Sequence, residues 1–192
     1  MMRPADNPFA MQRIDAIPYE MRGMSWDDLL ARLERLGRRS AIVGPHGTGK
    51  STLMEALAAR LEARAWQVRY HRLRRDDRAV PSSFLAQLGP TTMLMLDSAG
   101  CLGPGAWLDV ARRSRSSGAL IITAHRPGRL PTLLRTRIDA SLMTRLVEAL
   151  LGGSSPWPPA ELEAMLRAHR GNARQVLREL YDRIAASALR EV

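Results

Sequence analysis

Gly44-Pro45-His46-Gly47-Thr48-Gly49-Lys50-Ser51 is the stretch on which the reading of this chain turns. It fits G-x-x-x-x-G-K-[ST], and its flanks are those such a loop needs. The apolar run Ser40 to Val43 reads as a strand before it, and Leu53, Leu57 and Leu61 mark one face of a helix from about Lys50 to Arg64 after it. The glycines let consecutive backbone N–H groups curl around a phosphate, and the helix N-terminus adds its partial positive charge. Lys50 then bridges phosphate oxygens, and the Ser51 hydroxyl is the ligand expected for Mg²⁺. Lys50 is also the only lysine among 29 basic residues, all others being arginine. A compact ammonium fits between phosphate oxygens in a tight loop where a planar guanidinium does not.

Outward from the loop, the 192 residues are 45% hydrophobic and 25% charged, with a formal net charge of +10, as in an ordinary globular chain. No apolar run approaches the ~20 residues a membrane helix needs, so no membrane role is expected. The first 25 residues have no continuous apolar core of a signal peptide. One cysteine, Cys101, allows neither an internal disulfide nor a cysteine metal cluster, and the default compartment is the cytoplasm.

Residues 1–24, with three prolines and five methionines, read as an irregular arm. Ser25 and Asp28 form a capping-box signature before a helix whose apolar positions run from Trp26 to Leu36, with Gly37 as its stop. Trp66, Val68 and Tyr70 alternate with polar residues as in a strand, and a short helix is expected around Ser83 to Leu88. Thr92 to Leu96 and Ala119 to Thr123 are continuous apolar runs, as in strands buried on both faces of a parallel sheet, with a helix near Ala106 to Arg113 between them. The last strand is placed at Ile138 to Met143. The alternation of strands and helices predicts an α/β class: a three-layer core with a parallel sheet over residues 25–151. From 152 to 192 a Gly/Ser/Pro-rich linker leads into two amphipathic helices, Ala160 to His169 and Ala173 to Ala188, read as a small helical lid.

Asp97, at the end of the run from Thr92, is the carboxylate expected to hold Mg²⁺ together with Ser51. Asp97 to Gly100 also spells D-x-x-G, a GTPase pattern, but no N-K-x-D follows the next strand, where Ala124-His125-Arg126 stands. Adenine is therefore favoured over guanine, and the ATP-binding set is Gly44, Pro45, His46, Gly47, Thr48, Gly49, Lys50, Ser51 and Thr52.

On these residues the chain resembles the additional-strand class of P-loop NTPases and, within it, the AAA+ ATPases, over about residues 25–188. The resemblance makes the loop a Walker A motif and Asp97 the Walker B aspartate. It also implies a glutamate after Asp97 to polarise the attacking water; Ser98 stands there and cannot act as a carboxylate base, so slow hydrolysis is expected unless another group positions the water. Thr123 and His125 match the polar sensor at the next strand end, although a histidine there is more like the switch histidine of ABC transporters; no LSGGQ signature supports that family. A histidine satisfied in a surface loop is the alternative for His125. Arg137, with Arg135 as alternate, matches the arginine finger that reaches a neighbouring subunit's nucleotide, which implies a homo-oligomer; a solvated arginine is the rival reading. Gly171-Asn172-Ala173-Arg174 is similar to the sensor-2 motif of AAA+ lids, where Arg174 would meet the γ-phosphate; the rival is an Asn172 helix cap with Arg174 in solvent.

From Val110 to Ile138 lie seven arginines and no acidic residue. The field attracts polyanions, yet no nucleic-acid-binding motif accompanies it, and service to phosphates and subunit contacts is the simpler account. The expectation is an ATP- and Mg²⁺-dependent switch with slow hydrolysis, acting on a protein or nucleic-acid partner. Two rivals stand beside it: a P-loop kinase or phosphotransferase, in which a substrate hydroxyl attacks instead of water, and a module that holds ATP without hydrolysing it.

Overall fold

A computed structural model describes residues 6–188; residues 1–5 of the arm and 189–192 of the lid lie outside them. The described chain forms five strands and seven α-helices in the order α1 (Met11–Asp15), α2 (Trp26–Arg35), β1 (Arg39–Val43), α3 (Lys50–Glu62), β2 (Gln67–Arg72), β3 (Thr92–Asp97), α4 (Pro104–Arg113), β4 (Ala119–Ala124), β5 (Thr132–Arg135), α5 (Ala140–Leu151), α6 (Pro159–Ala168) and α7 (Ala173–Ala188). It divides into two compact units, one of Tyr19–Gly44 and Gly49–Thr136, the other of residues 6–18, Pro45–Thr48 and the described residues from Arg137.

The first unit is the α/β layer structure. Its sheet is parallel throughout, in the order β2-β3-β4-β1-β5. β3 and β4 are buried along their whole length, which is why both read as unbroken apolar runs. One sheet face, with Ile42, Met93, Met95, Ala119 and Ile121, packs against Leu29, Leu30 and Leu33 of α2 and Leu53, Leu57 and Leu61 of α3. The other face, with Val43, Leu94, Leu96, Leu120 and Ile122, packs against Val110 of α4 and against Leu73, Val80 and Leu85 from the connection between β2 and β3. α2 opens on the anticipated capping box, Ser25 accepting from the Asp28 N–H while the Asp28 side chain accepts from the Ser25 N–H.

In the second unit α5, α6 and α7 share a core of Met143, Val147, Leu150, Leu162, Met165, Leu166, Val176, Leu177 and Leu180, with Phe9 buried among them. Phe9 belongs to a segment pinned at several points: the Asn7 side chain donates to the Tyr181 carbonyl at 3.0 Å and Arg13 to the Leu150 carbonyl at 3.2 Å.

Three local expectations change. The segment read as irregular holds the short helix α1. The last strand is Thr132–Arg135, not Ile138 to Met143; there Asp139 caps α5 instead, accepting from the Leu142 N–H at 2.9 Å. Ser83 to Leu88 is a turn, with bonds from Phe84 and Leu85 N–H to the Pro81 carbonyl, too short to propagate as a helix. No helix among the described residues is long and apolar enough to cross a membrane.

Candidate nucleotide site

The phosphate-loop segment leaves β1 at Gly44 and enters α3 through Gly49, whose φ of +81° is a left-handed conformation that glycine adopts without strain. Lys50, only 9% exposed, folds back so that its Nζ donates to the Gly44 carbonyl at 2.8 Å. Burial lowers the pKa of its ammonium, and the nearby Asp97 charge offsets only part of that. On the same carbonyl, the Nδ1 of exposed His125 lies 3.4 Å away and donates when it carries the proton.

Asp97 ends β3 and is 1% exposed. Its Oδ1 accepts from Thr123 Oγ1 at 2.6 Å, and its Oδ2 accepts from Tyr70 OH at 3.2 Å and Arg72 Nε at 3.0 Å. The Ser51 hydroxyl is a further donor. Burial pushes the Asp97 carboxyl up, but the hydrogen bonds from Ser51, Thr123 and Arg72 and the charge of Arg72 outweigh it, holding the group below the usual carboxylate range. Asp97 is thus an anion at neutral pH, next to the hydroxyl of the residue that follows Lys50. Ser98 sits at φ +63° and donates its N–H to Thr123 Oγ1 at 2.7 Å, so Thr123 joins the two strand ends β3 and β4.

Tyr70, Arg72 and Glu55 belong to this cluster and were missed in the sequence. Arg72 Nη2 donates to Glu55 of α3 at 2.6 Å while its Nε holds Asp97. The signal was present in part: continuing the alternation Trp66, Val68, Tyr70 by one step puts Arg72 on the same strand face, and the β2–β3 register sets Arg72 directly beside Asp97. The register itself is not written in either strand.

The crown of the loop, Pro45–Thr48, falls in the second unit. Thr48, 3% exposed, donates its hydroxyl to the Pro45 carbonyl at 2.9 Å. Gly47 has φ +68°, and a Cβ there would sit 1.8 Å from Asn172 Oδ1 and 2.8 Å from its Cγ. The backbone of the loop therefore approaches the start of α7 as closely as glycine allows. Asn172 caps that helix, its Oδ1 accepting from the Gln175 N–H at 3.4 Å. Arg174, exposed, lies 3.7 Å from Asp15 Oδ1. Arg137 is exposed just before the Asp139 cap of α5, and Arg135 is exposed at the end of β5. Asn172, Arg174, Gln175, Arg178 and Tyr181 also face a cavity of about 660 Å³ whose other wall is Phe9 to Gln12 and Ile14.

Lys50, Ser51, Asp97, Thr123 and His125 thus gather at the carboxyl ends of β1, β3 and β4, where parallel α/β sheets place their ligands. Arg137 and Arg174 belong to the second unit, and Arg174 has a carboxylate from the N-terminal segment as its neighbour.

Comparison with solved structures returns the same architecture. The chain matches the replication initiator DnaA bound to AMPPCP and single-stranded DNA over 90% of its length, with TM-score 0.60 and 16% identity. It matches the RuvB Holliday junction branch migration motor of Thermotoga maritima over 86%, with TM-score 0.50 and 15% identity. It matches NtrX of Brucella abortus in complex with ATP over 90%, with TM-score 0.53 and 16% identity. The matched region spans 64%, 64% and 53% of those three chains respectively. No protein-family model matches the sequence, and no curated protein does. All three structures are AAA+ P-loop ATPases, and this chain has the AAA+ P-loop NTPase fold.

Proposed function

We propose that this chain, on its AAA+ P-loop fold, binds ATP with Mg²⁺, hydrolyses it slowly, and uses nucleotide state as a switch acting on a protein or nucleic-acid partner. The observation that carries the reading is the convergence of Lys50 with the Ser51–Asp97 pair, a buried cation beside a buried, ionised carboxylate joined to a hydroxyl. The donor set fits magnesium. Ser51 and Asp97 supply hard oxygen ligands, and among the described residues no group of three or more His, Cys, Asp or Glu forms a dedicated metal cage. Such a site takes its metal together with phosphate oxygens and water. Bound there, magnesium would neutralise charge on the phosphates.

The chain's own groups then divide the work. Loop N–H groups and Lys50 bind the phosphates, Thr123 orients Asp97, and His125, beside the Gly44 carbonyl, is assigned by resemblance as the polar sensor. Arg174 and Arg137 are assigned by resemblance to the γ-phosphate and to a neighbouring subunit's nucleotide. Where a glutamate base would stand, Ser98 offers only a hydroxyl, which is the ground for proposing slow hydrolysis.

One observation favours a phosphotransferase as the second reading: a cavity of about 280 Å³ opens beside His125, lined by Gly100, Arg126, Gly128 and Arg129. Such a pocket could seat an acceptor whose hydroxyl makes a water-activating glutamate unnecessary. Titration with ATP and GTP in the presence of Mg²⁺, with phosphate release and light scattering on the same samples, separates the readings. Tight ATP binding, slow phosphate release and ATP-driven assembly support the switch. ATP binding by a monomer without phosphate release sinks it and turns the search to an acceptor or to a static ATP-bound module.

A further inference from the structure

Asp97 is saturated with protein donors. Thr123 Oγ1, Tyr70 OH and Arg72 Nε donate to it at 2.6, 3.2 and 3.0 Å, and the Ser51 hydroxyl is the fourth. A carboxylate offers about four lone-pair positions, so any further donor, such as a water held by a metal, must take the place of one of these.

The four are not equally free to leave. Thr123 is fully buried and its oxygen also accepts the Ser98 N–H, so its hydroxyl is locked in place. Tyr70 is packed against the apolar sheet face. Arg72 differs from both: its side chain is 54% exposed, and its Nη2 already donates to Glu55 Oε1 at 2.6 Å. It can release Asp97 and keep an ionic partner. It is also the one donor with a full positive charge, the one that a second cation at Asp97 opposes most strongly.

We infer that Arg72 is a positioning residue that serves as counter-charge to Asp97 in the metal-free site and sets the magnesium requirement of nucleotide binding, with Glu55 as the seat to which it withdraws. The inference rests on the reading of Lys50, Ser51 and Asp97 as a nucleotide–magnesium site, and it adds a control element on the edge strand β2. Glu55 and Asp97 share one guanidinium, Glu55 on Nη2 and Asp97 on Nε. Arg72 on Glu55 leaves Asp97 open to a metal; Arg72 on Asp97 closes it.

Two substitutions should therefore act in opposite directions. In Arg72→Gln no cation has to leave Asp97, and the Mg²⁺ concentration for half-saturation should fall about tenfold. In Glu55→Gln the guanidinium keeps Asp97 as its carboxylate partner and loses the other, and the requirement should rise about threefold. A simple through-space field would give the same two signs, so the double variant decides. If Glu55 acts through Arg72, Arg72→Gln/Glu55→Gln should match Arg72→Gln alone, whereas independent field effects would add.

The experiment is a calorimetric Mg²⁺ titration of the full chain with a non-hydrolysable ATP analogue, alongside analogue binding in EDTA. Thermal melts accompany it, and Glu55→Gln, at an exposed helix position, keeps the test available if Arg72→Gln unfolds. A lowered requirement in Arg72→Gln, a raised one in Glu55→Gln and non-additivity in the double variant support the inference. An unchanged or raised requirement in Arg72→Gln, an unmoved one in Glu55→Gln, or additivity, with analogue binding intact, overturns it alone. Absence of analogue binding by the folded wild type, with or without Mg²⁺, overturns the nucleotide reading and the inference together.

Discussion

Lys50 and Arg72 are both cations beside Asp97, and the chain holds them in opposite ways. Lys50 is buried, its ammonium on the Gly44 carbonyl six positions back, with burial lowering its pKa. Arg72 is half-exposed, and its fork spans carboxylates from two other elements, Glu55 on α3 and Asp97 on β3. Burial pulls its pKa down, but bonds to Tyr70 and Asp97 and their charges raise it overall. A local turn holds the Lys50 ammonium on the Gly44 carbonyl, in a buried place beside Asp97. Strand register sets Arg72 beside Asp97, and Glu55 reaches it from the exposed face of α3.

The largest test of the contrast is Lys50→Ala. Nucleotide affinity should fall at least about 100-fold, since a charge-assisted contact in a buried site is lost, while the melting temperature should not fall, because the ammonium is buried at a cost. Titration calorimetry and a thermal melt check both halves; a large loss of stability with affinity kept would break the distinction.

The second test concerns the anion the two cations share. The carboxyl of Asp97 is held below its ordinary value of about 3.9, so its ionisation stabilises the fold above that pH, and the contribution is lost as pH falls through the folded value. Urea midpoints of wild type and Asp97→Asn should differ most near neutrality and converge below about pH 4. A gap that widens on acidification would mean that Asp97 is not held ionised.

Next in size is Gly47→Ala. A left-handed backbone and a Cβ 1.8 Å from Asn172 Oδ1 should cost about 1–3 kcal/mol by denaturant unfolding. Asn172→Ala in the same background should recover part of the loss by removing the clash, leaving the backbone strain. The smallest effect is expected from Tyr70→Phe, about 0.5–1.5 kcal/mol for one hydrogen bond to Asp97, with the affinity that Lys50 provides unchanged.

How much could be read in advance follows the range of each interaction. α2 and α3 were legible because cap, period and stop lie within a few turns, and β3 and β4 because burial on both faces leaves an unbroken apolar run. β5 was not: four residues after Pro131, paired to β1 with a register shift between Ala41 and Ile42, carry too little pattern. Asp139 before Leu142 and Met143 reads as well as a helix cap as it does as part of a strand, and the cap is what formed. In the site, Gly44 to Ser51 was legible from spacing and Asp97 from its place after an apolar run. Tyr70, Arg72 and Glu55 were not, since nothing local marks an arginine at a strand end as the partner of a distant carboxylate.

The sequence by itself determined the phosphate loop, the helix it opens, the buried strands and the absence of a glutamate at Ser98. These depend on contacts a few residues apart and on patterns of burial. Only the tertiary structure decided the order β2-β3-β4-β1-β5, and with it which side chains surround Asp97. Strand order is set by how crossovers cover both faces of the sheet, a global condition, and it is that order which brings Arg72 of the edge strand across from Asp97 and sets Thr123 on its other side.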